Sequence, residues 1–552
     1  MDAPHPNDHN DPKRSWIPGQ YDQTDRCYFR PLYGMDRLPQ GPFRYIFPDL
    51  ATQTYFRHQQ VEDKAAYLNT LDQLAAALVA PQKDSPFSGD IVPASFTYYG
   101  QFIDHDISLA NGESVDALLS EQDLEPLEPS DVEVSLDAQQ TPRFDLESVY
   151  GGPGAAYLDF PHFYQEADPI LFKVNIDELV AMGSTYFAAA PLQTDRPLWY
   201  LSQLNILAEF PDEDEETITP AIIGDLRNDE NLVLAKFHLA FLKFHNRIVQ
   251  ELRQTGNFHD DQELFMMARG EVTRIYQWLF MSEFLPQILC ATVYEDILNE
   301  PPFDYGGEHR DEKLFMPIEF ATAAYRFGHN MIRERYDRIR HNGQGNIILD
   351  PKTFEQLFEF SGKKTSLNPR FRELLPHSWV VKWDRFVSTW KEKGHTTDRP
   401  SPEHCQEIMK HLSQRNLRRG FLFNIPSGQE IIDELEATGV ASFHKLQIED
   451  LLAFLPRELQ HAFVEQDLLN HTPLWYYLMK ESEVQEKGER LGELGSWLVG
   501  KTFSWLIAHS PVSIIQDNWT PNDSIVAGLR NVRTVVDFLI YAGVAPNPSH
   551  SN

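Results

Sequence analysis

The chain has 552 residues, 42% of them hydrophobic, with 48 basic against 82 acidic side chains and a formal net charge of −34. That length and apolar content can fill a large core, as one big domain or several smaller ones. A charge this negative excludes binding to nucleic acid or anionic membrane through bulk electrostatics.

The three cysteines, Cys27, Cys290 and Cys405, are far apart and odd in number, so neither a disulfide framework nor a thiolate metal site follows from them. No run of about 18 apolar residues reads as a membrane span. The first ten residues lack the basic and apolar regions of a secretory signal, so the expected setting is reduced and cytoplasmic.

Residues 1–40 are polar and rich in Pro and Asp, and read as an arm lying on the body of the protein. Helical periodicity follows over 60–80, with Tyr67, Leu68, Leu71, Leu74 and Leu78 in register. Residues 97–106 then read Thr-Tyr-Tyr-Gly-Gln-Phe-Ile-Asp-His-Asp. Gln101 and His105 stand four apart, on one face of a helix. Asp104 and Asp106 flank the histidine among residues of buried character. Polar groups in such surroundings must be paired or must do chemistry; taken alone, a capped helix end with a satisfied core histidine is the simplest reading.

Residues 111–138 hold nine acidic residues and no basic one, and are expected to form a solvated loop. In 141–148, oxygen-bearing side chains stand at 141, 145, 147 and 148. Calcium takes several such oxygens, although an ordinary capped turn has the same composition. Residues 165–200 suggest short strands and loops.

Residues 226–253 are the clearest helix, through Leu234, Phe237, Phe241, Phe244, Ile248 and Leu252. His238 and His245 lie on it seven apart and are expected to be core or hydrogen-bonded histidines, since no third ligand has a useful spacing. Helix is expected again over 262–300 and over 317–335. In the latter, Gly328 beside His329 costs helix stability, and a common reason is close approach of something flat or bulky. Residues 352–412 are mixed and polar. A turn is expected at 425–429, a helix-rich stretch at 446–480 and an apolar helix at 490–509. Strand signals are few, so the fold class is mainly α.

Together these segments, in order over about 95–430, resemble the animal-type haem peroxidases of the peroxidase–cyclooxygenase superfamily, and look most like its bacterial members. The resemblance implies a single large helical domain over 41–552 with few short strands. Gly-Gln-Phe-Ile-Asp-His-Asp at 100–106 matches the distal haem motif, which makes His105 the distal histidine and Gln101 its pocket neighbour. Asp106 falls on a calcium-ligand position. Thr141, the Arg143 carbonyl, Asp145 and Glu147 fall on the calcium loop, where the family usually has serine at the position of Glu147. Gly-Asp-Leu-Arg-Asn-Asp-Glu at 224–230 carries the distal arginine, Arg227. Tyr-Arg-Phe-Gly-His at 325–329 matches the proximal motif, with His329 as the iron ligand. Asn416 matches the asparagine that holds the proximal imidazole, and Arg326 and Arg419 match arginines that pair with haem propionates. Asp104 and Glu230 occupy the positions whose carboxylates form esters with haem methyl groups; Asn231 stands where one branch has a sulfonium-forming methionine, which excludes that third bond.

The implied activity is peroxidase: His105 moves a proton between the oxygens of hydrogen peroxide and Arg227 stabilises the developing charge, so that a small donor, a phenol or a halide, is oxidised. The implied cofactors are haem b, with the ester link as an added expectation, and Ca2+. An alternative is a fatty-acid dioxygenase. Those enzymes carry tyrosine three residues before the proximal histidine, where this chain has Arg326, with Tyr325 one residue further back. A third reading, an inactive haem-binding module, runs against the retention of His105, Arg227 and His329.

Overall fold

The computed structural model describes residues 41–79, 92–108, most of 115–174, 223–305 apart from Glu230 and Asn257, 314–333, short pieces between 335 and 387, and 404–545. The expected arm at 1–40 and most of 165–200 and 352–403 lie outside the described residues. The architecture is mainly helical with few short strands, as the periodicity predicts.

In chain order the framework helices are α1 (Pro48–Gln59), α2 (Lys64–Val79), α3 (Ala94–Ile107), α4 (Pro129–Ser135), α5 (Leu232–Arg253), α6 (Asp261–Leu279), α7 (Ile318–Thr322), α8 (His404–Leu422), α9 (Gly428–Ala437), α10 (Leu474–Glu486) and α11 (Glu493–Ala508). Strand β1 (Gly41–Arg44) is the centre of a small sheet, antiparallel to β2 (Asp137–Ala138) and parallel to β3 (Met316–Pro317). It brings the start of the described chain beside the entry to α7.

The central helices are buried almost all round, so propensity matters less than packing. In α3, Phe96, Tyr98, Tyr99, Phe102 and Ile103 face the core, and His105 and Asp106 are buried with them. Ser108 stops this helix: its backbone is extended, and its hydroxyl donates back to the Asp104 carbonyl and carboxylate. In α5 the expected stripe is buried, but so are Val233, Leu239, Ala240 and Leu242 on other faces. Gly500 of α11 lets that helix close on Ile297, whose Cδ1 lies 2.1 Å from where a Cβ would stand. No helix among the described residues is long and apolar enough to cross a membrane.

Four expectations are corrected. The helix expected from 226 is two elements: a 3₁₀ turn, Leu226–Asp229, and then α5. The extended backbone of Asn231 separates them, and its side chain accepts from the Leu234 amide as the cap of α5. The helix expected over 262–300 is segmented, with a π-turn at Phe280–Phe284, a short helix Leu285–Ile288, and Ala291–Asn299. The helix expected over 317–335 is α7 followed by a 3₁₀ segment, Ala324–Met331, after a break at Ala323. The acidic stretch 111–138 is not simply a solvated loop. It buries Leu119, Leu124, Val132 and Leu136, forms α4, and donates the Leu127 amide to the Leu422 carbonyl.

The expected turn at 425–429 leads into α9 through a Ser427–Glu430 capping box. The 446–480 stretch is helix-rich, and the apolar helix expected at 490–509 is α11.

Candidate functional site

The site is built on α3, the Leu226–Asp229 turn, the start of α5, the Ala324–Met331 turn and α8. Two hydrogen bonds staple α3 to the 324–331 turn. The Thr97 hydroxyl donates to the Met331 carbonyl (2.9 Å), and the Tyr325 hydroxyl donates to the Gly100 carbonyl (3.0 Å).

On α3, His105 is 5% exposed and its Nδ1 lies 3.1 Å from Asn228 Oδ1. Arg227 lies directly beside it, donating from Nη2 to the His105 carbonyl at 2.9 Å. The same guanidinium is clamped by the buried Asp225 carboxylate, with Nη2 2.7 Å and Nε 3.1 Å away. Asp225 also accepts from Gln140 Nε2 at 3.0 Å. Burial pushes the Asp225 carboxyl up, but the Arg227 charge and hydrogen bonds outweigh it and hold the group below the usual range. Burial, then the Arg227 charge, lowers His105 to about 4, so at neutral pH its imidazole is uncharged and can accept a proton. Gln101 Oε1 accepts from Asn231 Nδ2 at 3.0 Å. The three groups expected to act together, Gln101, His105 and Arg227, are therefore neighbours across the junction of α3 with the 226–231 segment.

His329, on the 3₁₀ turn, is half-buried, and its Nδ1 lies 3.2 Å from Asn416 Nδ2 on α8. An amide presents oxygen or nitrogen by a half-turn. The buried Asn416 Oδ1 has no hydrogen-bond partner of its own, so the turned amide lets it accept from an Nδ1–H. No described residue pairs with His329 Nε2. Burial, then the charges of Arg326 and Arg419, lowers His329 to about 3; Arg415 adds to the cationic surroundings. A Cβ built at Gly328 or at Gly420 would meet nothing within 4 Å, so both glycines border open space. A neutral imidazole with one nitrogen committed, the other unpaired among the described residues, and the positive charges of Arg326, Arg415 and Arg419 acting on it beside open space, fits a haem with its two propionates.

Arg326 donates from Nε to the Ala321 carbonyl (2.7 Å) and makes an ion pair with Asp104 at 3.4 Å. Asp104 is held below its usual range because Arg326, His105 and Arg227 outweigh the effect of burial. The residues expected for propionate pairing and for ester formation thus meet each other across α3 and the 3₁₀ turn. Glu230 lies outside the described residues.

Asp106 is fully buried and accepts from the Leu146 and Ser148 amides, each at 3.1 Å. Both oxygens of Asp145 are buried with no well-aligned hydrogen bond among the described residues, and Arg269 lies 3.8 Å away. Burial and then the Asp145 charge push Asp106 up to about 7, and burial pushes Asp145 upward too. The Ser148 hydroxyl, in no well-aligned hydrogen bond, faces the same carboxyl. Thr141 gives its hydroxyl and its amide to Glu147. The Arg143 amide donates to the Thr141 carbonyl. Among the described residues no three His, Cys, Asp or Glu side chains group to hold a metal; a cation here would need hydroxyl and carbonyl oxygens beside the two aspartates, a donor set suited to a hard ion.

His238 and His245 are hydrogen-bonded core histidines, as expected: His238 Nδ1 lies 3.2 Å from Asn228 Nδ2, and His245 sits between the Tyr150 hydroxyl and the Ile170 carbonyl. The sequence reading assigned no role to Asp225, Asn228 or Arg415. Asp225 and Asn228 lie inside the Arg227 motif itself, and that position is the one signal that singles them out.

The chain matches the animal haem peroxidase family over residues 199–378. It is 32% identical over 213 residues to peroxidasin homolog pxn-2 of Caenorhabditis elegans, covering 38% of this chain and 15% of that protein. It is 24% identical over 407 residues to peroxidasin homolog pxn-1 of the same organism, covering 66% of this chain and 30% of that protein. The chain therefore spans less than a third of either relative. Among solved structures, peroxidase A from Dictyostelium discoideum aligns with 86% of this chain and 89% of its own at 14% identity and a TM-score of 0.47. Fatty acid alpha-dioxygenase of Arabidopsis thaliana aligns with 85% and 74% at 14% identity and a TM-score of 0.49. Through the segment that carries Arg227, Arg326 and His329 the chain is thus similar to the animal haem peroxidase family, and its sequence relatives point the same way.

Proposed function

We propose that this protein is a haem peroxidase that cleaves hydrogen peroxide and oxidises a small electron donor, a phenol or a halide. One observation carries the reading. A neutral His105 held against Arg227 lies on a segment stapled to the turn where a neutral His329 is backed by Asn416. His329 would hold haem b through Nε2, with Asn416 fixing the ring, and Arg326, Arg415 and Arg419 would supply positive charge toward the propionates. Haem bound there supplies the two-electron chemistry on peroxide.

The chain's own residues do the rest. His105 Nε2 takes the proton of the incoming peroxide and returns it to the departing oxygen, general base and then general acid. Arg227, held rigid by Asp225, presents positive charge to the oxygen that becomes negative. Gln101, tied to Asn231, lines the same face.

Two finer readings accompany this one. Ca2+ is proposed between Asp106 and Asp145, with Thr141, the Arg143 carbonyl and Glu147 as further oxygen donors and Ser148 as an added candidate. The two buried carboxylates, one with neither oxygen in a well-aligned hydrogen bond, support it. Ester links from Asp104 and Glu230 to the haem edge are proposed on the motif positions. For Asp104, its ionised state beside Arg326 is additional support.

The fatty-acid dioxygenase reading is disfavoured: Tyr325 is buried, stacked on Phe320 at 5.1 Å and committed to the Gly100 carbonyl. Turnover of hydrogen peroxide with guaiacol and iodide, against oxygen uptake with linoleic acid, tests the choice. Oxygen uptake with linoleic acid and no peroxide-dependent turnover would reverse it.

A further inference from the structure

The Asn228 side chain is fully buried and lies between two buried histidines on different elements. Its Oδ1 is 3.1 Å from His105 Nδ1, and its Nδ2 is 3.2 Å from His238 Nδ1. A primary amide has one accepting end and one donating end. While both rings are neutral, one of the two Nδ1 atoms must therefore carry a hydrogen and the other must not. The amide couples the tautomers of the two histidines and makes them opposite.

Which ring carries the hydrogen follows from what each must do. On the peroxidase reading, on which this inference rests, His105 alternates between a neutral and a doubly protonated ring, with Nε2 as the working atom. The protonated ring is a donor at both nitrogens. Only the amide oxygen can face His105 Nδ1 in both states without turning. His238 is then left as the Nε2–H tautomer. That nitrogen is buried and has no partner among the described residues, a local cost of the kind that functional sites retain.

We propose that Asn228 is the positioning residue of the distal histidine: it fixes His105 as the Nδ1–H tautomer, so that Nε2 is the proton acceptor, and imposes the opposite tautomer on His238.

Neutron diffraction of the deuterium-exchanged, haem-loaded protein reads this directly. Deuterium is expected on His105 Nδ1 and on His238 Nε2, with the Asn228 ND2 group toward His238. Deuterium on His105 Nε2, with the amide reversed, overturns the proposal. A second measurement uses cyanide, which must give up its proton to a distal base before binding ferric haem. Asn228→Leu should slow cyanide binding by on the order of 10²-fold or more, with haem retained. Asn228→Asp keeps the acceptor toward His105 and should stay within about tenfold of the parent. A haem-loaded Asn228→Leu protein that binds cyanide at the parent rate overturns the proposal. So does an Asn228→Asp protein as slow as His105→Ala. If Asn228→Leu does not fold, the parent neutron map and the Asp variant still decide. Failure of the parent to turn over peroxide would refute the peroxidase reading while leaving the tautomer measurement intact.

Discussion

At the scale of single residues, the site depends on nitrogen and oxygen atoms whose partners are already fixed. His329 presents one nitrogen to Asn416 and, among the described residues, keeps the other unpaired. His329→Ala should abolish the Soret band of a histidine-ligated haem, and an unchanged spectrum would refute the ligand assignment. On the proposed reading, His105 and Arg227 would serve peroxide cleavage and not haem retention. His105→Ala and Arg227→Ala should therefore each bind haem yet slow its oxidation by peroxide about 10²-fold or more in stopped-flow traces. Asp225 acts through Arg227, since it contacts both Nε and Nη2. Asp225→Asn should show the same kind of loss, smaller in size, because the guanidinium keeps its bond to the His105 carbonyl. Asp104 is a separate matter: extraction into acid–butanone after peroxide treatment should leave haem on the protein if the ester forms, and complete release would rule it out.

At the scale of elements, the 141–150 segment is the hinge between the two halves of the distal face. Asp106 on α3 holds its amides at Leu146 and Ser148. On its other side, the Ser148 carbonyl lies only 2.5 Å from where a Cβ would stand on Gly224, just before Asp225 and Arg227. Gly224→Ala must push the arginine turn off this segment. It should lower peroxide reactivity and stability together, by about 1–3 kcal/mol for the strain.

The proposed calcium would bind at the same hinge. Elemental analysis should find the ion, and chelation should lower the unfolding temperature. Saturation at a hundredfold excess over Kd is worth about 2.7 kcal/mol. Asp145→Asn distinguishes the ion from an ordinary turn. It should destabilise the calcium-loaded protein but be neutral or stabilising after chelation, because it removes a buried negative charge that repels Asp106. If chelation changes nothing, the segment is only a turn.

At the scale of the whole molecule, distant parts of the chain are tied by a few ionic contacts. Glu430 at the start of α9 accepts from Arg57 of α1 at 2.6 Å and lies 3.2 Å from His471. Arg418 of α8 pairs with Asp72 of α2 at 2.7 Å. Burial raises Glu430, but His471 and Arg57 outweigh it and hold the carboxyl far below its ordinary 4.5. A depressed carboxyl contributes stability that is present above the unfolded value and lost as pH falls through and below it. Stability should therefore drop as pH is taken below about 4.5. Glu430→Gln should cost about 1–3 kcal/mol at neutral pH and flatten the acid side of the profile. A variant with the parent's acid slope would show that this contact does not govern it.

The amino-acid sequence determined the helical class and singled out the candidate groups of the proposed site, because both signals are written locally. Apolar periodicity marks a buried face within one element, and motifs such as 100–106, 224–230 and 325–329 are contiguous. It could not place the breaks at Asn231 and Ala323, where a cap and a packed 3₁₀ turn override helical periodicity. It misread 111–138, because acidic composition does not reveal that four leucine and valine side chains find a core elsewhere. Only the tertiary structure decided which groups meet. His105 and Asn228 are 123 residues apart, His329 and Asn416 are 87 apart, and Asp104 and Arg326 are 222 apart. Hydrogen bonds and ion pairs of that range depend on how whole helices pack, and packing is a property of all the faces at once, which no single stretch of sequence encodes.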